Sequence, residues 1–254
     1  MGLFHFFKTK EKQAENIQQK KSDRPECDIS KTQIMADLFS VPREKRDDKW
    51  KQTFFENVQT ASFACNNPQV TIGPDGFPYF ALSTPEPQKP FESFCIRNMK
   101  EDFLLEKGLG ITINPTDNSV EWVFSYGDIV NLHVNSEFYS KTDNIEIENQ
   151  ETIKKKEEVL IAQPSESYLP AQTRSVIRKY LQDKGIKQPK IMMICRKMDG
   201  TVIQELAFNI FRENFSSVEQ LNLFLRQLSW FLPRHYIILS VPKDSNLTNG
   251  FHNL

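Results

Sequence analysis

Lys190-Ile-Met-Met-Ile-Cys-Arg-Lys-Met-Asp-Gly-Thr-Val-Ile-Gln-Glu-Leu-Ala-Phe-Asn-Ile-Phe211 is the stretch on which the fold turns. Two apolar runs, 190–196 and 202–211, flank Met198-Asp-Gly-Thr201, and an Asp-Gly pair between such runs is a hairpin signal. Upstream, Val159–Ala162 reads as a strand. Pro170 suits a first helical turn, and Thr173, Val176, Ile177, Tyr180 and Leu181 share one helical face that Gly185 ends. Downstream, Ser216 and Glu219 have capping-box spacing before the stripe Leu221, Phe224, Leu225, Leu228, Phe231 and Leu232. Pro233 stops that helix, and His235–Val241 is a last strand. The order β-α-β-β-α-β predicts a ferredoxin-like sandwich over 159–241, with both helices on one face of an antiparallel sheet.

Working outward, 141–158 reads as a charged linker containing Lys154-Lys-Lys-Glu-Glu158, and 242–254 as a polar tail. Residues 43–140 read as a separate N-terminal α+β domain, and 1–42 as a polar, partly helical leader. Ser30 caps a short helix carrying Ile34 and Leu38, which Pro42 ends. A second helix over 43–64 carries Trp50, Phe54, Val58 and Ala61. Strand, turn and strand follow at Val70–Ile72, Gly73–Gly76 and Phe77–Leu82. Phe91–Ile96 reads as another strand. Asn98 and Glu101 outline a cap for a helix with Phe103 and Leu104 on its buried side, stopped by Gly108. Leu109–Ile113 pairs with Val120–Phe124, and Ser125 with Asp128 caps a helix bearing Ile129, Val130 and His133. The fold class expected is α+β, in two small domains behind a helical leader.

Of the 254 residues, 39% are apolar and 26% charged, with a net charge of −1. That composition excludes collagen-like, disulfide-scaffold and fully disordered chains. No uninterrupted apolar window approaches the length of a membrane-spanning helix. The balance hides an asymmetry: residues 53–140 hold 4 Lys/Arg against 11 Asp/Glu, and 159–254 hold 12 against 7. The basic excess of the second half is too dispersed to argue for nucleic acid. Opposed halves favour docking on each other or steering a partner to one face.

The start, with Leu3, Phe4, Phe6 and Phe7 ahead of Lys8, is too short for an export signal, and Phe6 breaks the myristoylation pattern. The reading is a cytoplasmic protein, with a membrane-surface contact through those four residues as an alternative to a tail that frays or docks on its own protein. Cys27, Cys65, Cys95 and Cys195 contain no CxxC pair and read as reduced thiols, mostly in the core. No phosphate-loop, zinc-protease or nucleophile-elbow motif occurs. Gly108-Leu-Gly110 follows a helix and opens a strand, the reverse of a dinucleotide site. Glu121 and Asp128 make an acid/base pair only if the fold joins them. The expectation is no catalytic residue, no metal and no cofactor. Candidate binding residues are Phe77, Tyr79, Trp122, Tyr126, Asp128 and His133, on the argument that an exposed stripe among these strand aromatics would form a partner patch.

Two stretches resemble the SseB family, whose founding member is called enhanced serine sensitivity protein. The first is Phe77-Pro-Tyr-Phe-Ala-Leu-Ser-Thr84 followed by Leu104-Leu-Glu-Lys-Gly-Leu-Gly-Ile-Thr-Ile-Asn-Pro115. The second is Val159-Leu-Ile-Ala-Gln-Pro-Ser-Glu-Ser-Tyr-Leu-Pro170. The resemblance implies a bacterial, soluble, two-part α+β protein and supplies no catalytic residue. The functional expectation is a non-enzymatic protein-interaction or regulatory module with a protein partner. The alternative is a small-molecule binder or enzyme with a site between the two domains.

Overall fold

A computed structural model describes residues 26–140, 159–198 and 201–254. The leader up to Pro25 with its apolar cluster, the linker 141–158 and the hairpin residues Asp199 and Gly200 lie outside the described residues. The described chain is mixed α+β with two sheets and packs as two compact units. The first combines 26–64 with 84–99, and the second 65–83 with 100–254. These packing boundaries fall inside 43–140, which the sequence reads as one domain, and the described residues of 159–254 pack in the same unit as 65–83 and 100–140.

In the first unit, helix α1 (Ser30–Ser40) forms where expected, but Ser30 bonds Asp28 instead of capping, and Met35 is the buried residue while Ile34 stays exposed. Asp47 caps α2 (Asp48–Val58) by accepting from the Trp50 N–H. Its stripe Trp50, Phe54 and Val58 is buried, and the Trp50 and Phe54 rings stack at 5.2 Å. The Trp50 indole donates to the Leu38 carbonyl at 2.8 Å, tying α2 to α1. The strand expected over Phe91–Ile96 reduces to a single bridge between Phe94 and Phe63. The chain then turns helical in α3 (Ile96–Met99), so Asn98 lies inside the helix and not at its N-cap position.

In the second unit, β1 (Ala64–Ile72) and β2 (Pro78–Ser83) join through the turn at 73–77, where the Gly73 N–H bonds the Phe77 carbonyl. A π-helical turn, Lys100–Leu104, leads into α4 (Leu105–Lys107). Gly108 closes it at φ +70°, the left-handed conformation that lets its own and the Leu109 N–H reach back to the Leu104 carbonyl. β3 (Gly110–Ile113) runs parallel to β2 and antiparallel to β4 (Trp122–Phe124), giving sheet order β1-β2-β3-β4. Ser125 and Asp128 form the anticipated capping box on α5 (Tyr126–Asn135).

The second sheet contains β5 (Val159–Ala162), β6 (Lys190–Met198), β7 (Thr201–Phe208) and β8 (Ile237–Leu239). Helix α6 (Ala171–Asp183) lies between β5 and β6 in the chain, and α7 (Val218–Ser229) between β7 and β8. The cap of α7 is Ser217, one residue beyond the one expected. The chain order is as read, but the sheet order is β5-β6-β7-β8, with β5–β6 and β6–β7 antiparallel and β7–β8 parallel. A split βαβ places a third strand between two parallel ones. Here β7 and β8 are direct neighbours, so the ferredoxin-like sheet order is corrected. Side-chain alternation puts Met192, Ile194 and Ala207 on one face, where Val241, Leu247 and Phe251 pack, and Ile191, Leu206 and Phe208 on the other. Residues after Pro242 are therefore no free tail: β9 (His252–Asn253) pairs with β6, and Arg178 donates to the Leu254 carbonyl.

Candidate functional site

The second unit holds an open cavity of about 830 Å³ between the β1–β2 turn, the end of α4, and helices α6 and α7. Its apolar floor follows from how three elements present rings. Phe77 at the start of β2, Tyr180 on α6 and Phe231 just past α7 converge, with Tyr180 to Phe231 at 4.6 Å, Phe77 to Phe231 at 5.4 Å and Phe77 to Tyr180 at 6.3 Å. Behind this triad Trp230 stacks flat on Phe77 at 4.2 Å. Burial pushes the Tyr180 phenol up to about 12, and its hydroxyl donates to Gln227 Oε1 at 3.3 Å. The charged residues of the lining, Asp75, Glu106 and Asp183 with Lys107, Lys179 and Lys184, are all exposed and so sit at its rim. The Lys184 ammonium lies 5.5 Å over the Tyr180 ring.

Close packing positions the walls. Gly108 sits against α6 so tightly that a Cβ there would meet Val176 Cγ1 at 2.6 Å. Asp75 accepts from the Phe77 N–H at 3.1 Å and from the Tyr79 hydroxyl, which itself accepts from the Trp230 indole N–H at 2.8 Å. Burial, reinforced by Asp75, raises the Tyr79 phenol above its ordinary value, so at neutral pH it stays a donor.

Of the six candidate residues, Phe77 lines the cavity, and Tyr79 and Tyr126 support it from behind, the Tyr126 ring lying 6.1 Å from Phe231 and 6.3 Å from Trp230; the other three lie elsewhere. Tyr126 is fully buried and donates to the Leu105 carbonyl at 2.8 Å. Asp128, also fully buried, accepts from Arg234 Nε at 2.9 Å and Nη2 at 3.1 Å while capping α5. These bonds commit it to structure and not to an acid/base pair with Glu121. His133 Nδ1 lies 2.9 Å from Glu101 Oε1 at the surface. Burial disfavours the Glu101 charge, but hydrogen bonds from His133 and Lys100 outweigh it and hold that carboxyl below the usual range. Trp122 is half-buried on β4. Phe77, Tyr79, Phe80, Phe124 and Tyr126 are all buried, so these aromatics form core and not an exposed stripe. The sequence reading missed Tyr180 and Phe231 as site residues because helical spacing marks a stripe as apolar without saying where the stripe ends at a cavity.

Among the described residues, no group of three or more His, Cys, Asp or Glu is placed to hold a metal, and no helix is long and apolar enough to cross a membrane. No protein-family model, curated protein or solved structure matches this chain.

Proposed function

We propose that this protein is a non-enzymatic binding and regulatory module of the bacterial cytoplasm, related to the SseB family, and that its cavity receives a short segment of a protein partner. The observation carrying this reading is the composition of the site: a floor of three rings ringed by carboxylates and ammonium groups of both signs. An apolar anchor surrounded by mixed charge suits a peptide, whose side chain fills the floor while flanking residues of either sign find partners on the rim. Of the stretches that carry the SseB resemblance, Phe77-to-Thr84 begins at the cavity, Leu104-to-Pro115 gives Glu106, Lys107 and Gly108 to its lining, and Val159-to-Pro170 leads into α6.

Ser175 is exposed at the rim, so Ser175→Trp fills the cavity without touching the core. Full-length protein carrying a photo-crosslinker at position 179 should label a partner in its native cell extract, and Ser175→Trp should abolish that labelling while melting with the wild type. Equal labelling by both proteins would overturn the reading.

The volume itself favours a second reading, because about 830 Å³ falls within the roughly 300–1,000 Å³ of small-molecule sites. A metabolite that raises the melting temperature of the wild type and leaves Ser175→Trp unchanged would establish it.

A further inference from the structure

The first unit brings together two cysteines that lie far apart in the chain. Cys27 and Cys95 are free thiols within hydrogen-bonding reach of each other. Cys95 is buried, at 2% exposure, immediately before α3; Cys27 is half-buried. Both are held from several sides. The Asp28 N–H beside Cys27 bonds the Thr60 carbonyl at 2.7 Å, and the Asn98 side-chain amide reaches the Cys27 sulfur at 3.8 Å. The Cys95 carbonyl accepts from the Asn98 and Met99 N–H groups, each at 3.1 Å. Two thiols alone make no metal site, and no third ligand joins them among the described residues.

We propose that Cys27 and Cys95 are a modification site that closes to a reversible disulfide by exchange with a low-molecular-weight disulfide such as that of glutathione. The half-buried position gives Cys27 the first step. Its thiolate attacks one sulfur of the small disulfide, the S–S bond of that molecule breaks, and one small thiol leaves with a proton. Cys95 then gives up its proton and attacks the Cys27 sulfur. The Cys27-to-small-molecule bond breaks, the second small thiol departs, and the Cys27–Cys95 bond forms. Two protein thiols are oxidised and one small disulfide is reduced to two thiols. Burial, with the Cys27 hydrogen bond adding to it, pushes the Cys95 thiol up to about 12, which makes it a poor nucleophile toward reagents in solution. Held against its neighbour, it acts as the resolving partner, where proximity replaces thiolate population.

The test is incubation of the reduced, folded full chain with glutathione disulfide, followed by alkylation and non-reducing peptide mapping. The expected result is loss of two free thiols as one Cys27–Cys95 crosslinked peptide that dithiothreitol restores, with Cys65 and Cys195 still alkylated. Cys95→Ser should retain glutathione on Cys27. Cys27→Ser, at the more exposed and more tolerant position, should acquire no adduct on Cys95. Persistence of the mixed disulfide on wild-type Cys27, crosslinks scattered over all four cysteines, or no reaction at Cys27 would each overturn the proposal.

Discussion

The Trp230 indole N–H donates to the Tyr79 hydroxyl at 2.8 Å, and that hydroxyl donates onward to Asp75. This chain fastens the end of α7 to β2 and fixes the carboxylate at the cavity rim. Tyr79→Phe keeps the ring but leaves the indole donor and one Asp75 oxygen without this partner. The expected loss is about 1–3 kcal/mol of stability, read from urea unfolding, with weaker ligand or partner binding at the cavity.

Arg196 and Glu205 form a two-pronged ion pair, with both N–O distances 2.6 Å and both residues buried within the second sheet. Removing one partner strands a charge away from water. Arg196→Met should therefore cost about 3–5 kcal/mol, whereas Arg196→Met with Glu205→Leu should recover most of that loss. Chemical denaturation of the two variants and the wild type measures the difference.

Gly127 opens α5 directly against the backbone of residue 232, and its N–H bonds the Trp230 carbonyl at 2.9 Å. A Cβ at this position would overlap the Leu232 main chain, which has no flexible end to swing away. Gly127→Ala should cost about 3 kcal/mol or more, visible as a large drop in melting temperature.

Burial raises the phenols of Tyr79, Tyr126, Tyr168 and Tyr236 above their ordinary value and that of Tyr180 to about 12. The unfolded chain ionises its tyrosines near pH 10, before the folded chain does. The stabilisation is thus complete below about pH 10 and is lost as pH rises through the folded values. A spectrophotometric titration near pH 10.5 should show these five of the six tyrosines withheld from ionisation until the protein unfolds.

Much of the local structure was legible in the sequence. Trp50, Phe54 and Val58 marked a helical face, Ser125 and Asp128 a cap, Gly108 a stop, and the runs 190–196 and 202–211 an antiparallel pair of strands, because each depends on neighbours in the chain. What the sequence concealed depends on pairing at long range. Nothing in Val159–Ala162 or Ile237–Leu239 says which strand lies beside it, so the β-α-β-β-α-β order suggested a familiar sheet order that the chain does not adopt. Leu247 and Phe251 sit among polar residues and gave no stripe, yet they cover one sheet face. The aromatics of β2 and β4 looked available for a partner because the residues that bury them lie elsewhere in the chain, as Trp230 does for Phe77.

The interrupted layout of the first unit bears on how the protein is made. Residues 26–64 leave the ribosome before the 84–99 segment that carries Phe94, Cys95, Ile96 and Met99, and β1 and β2 are synthesised in between. The first unit is therefore incomplete until the start of the second has already emerged. Neither unit can be cut out whole by cleaving the chain at a single point, so an expression fragment ending anywhere between 65 and 83 should be an aggregation-prone product and not a small stable domain.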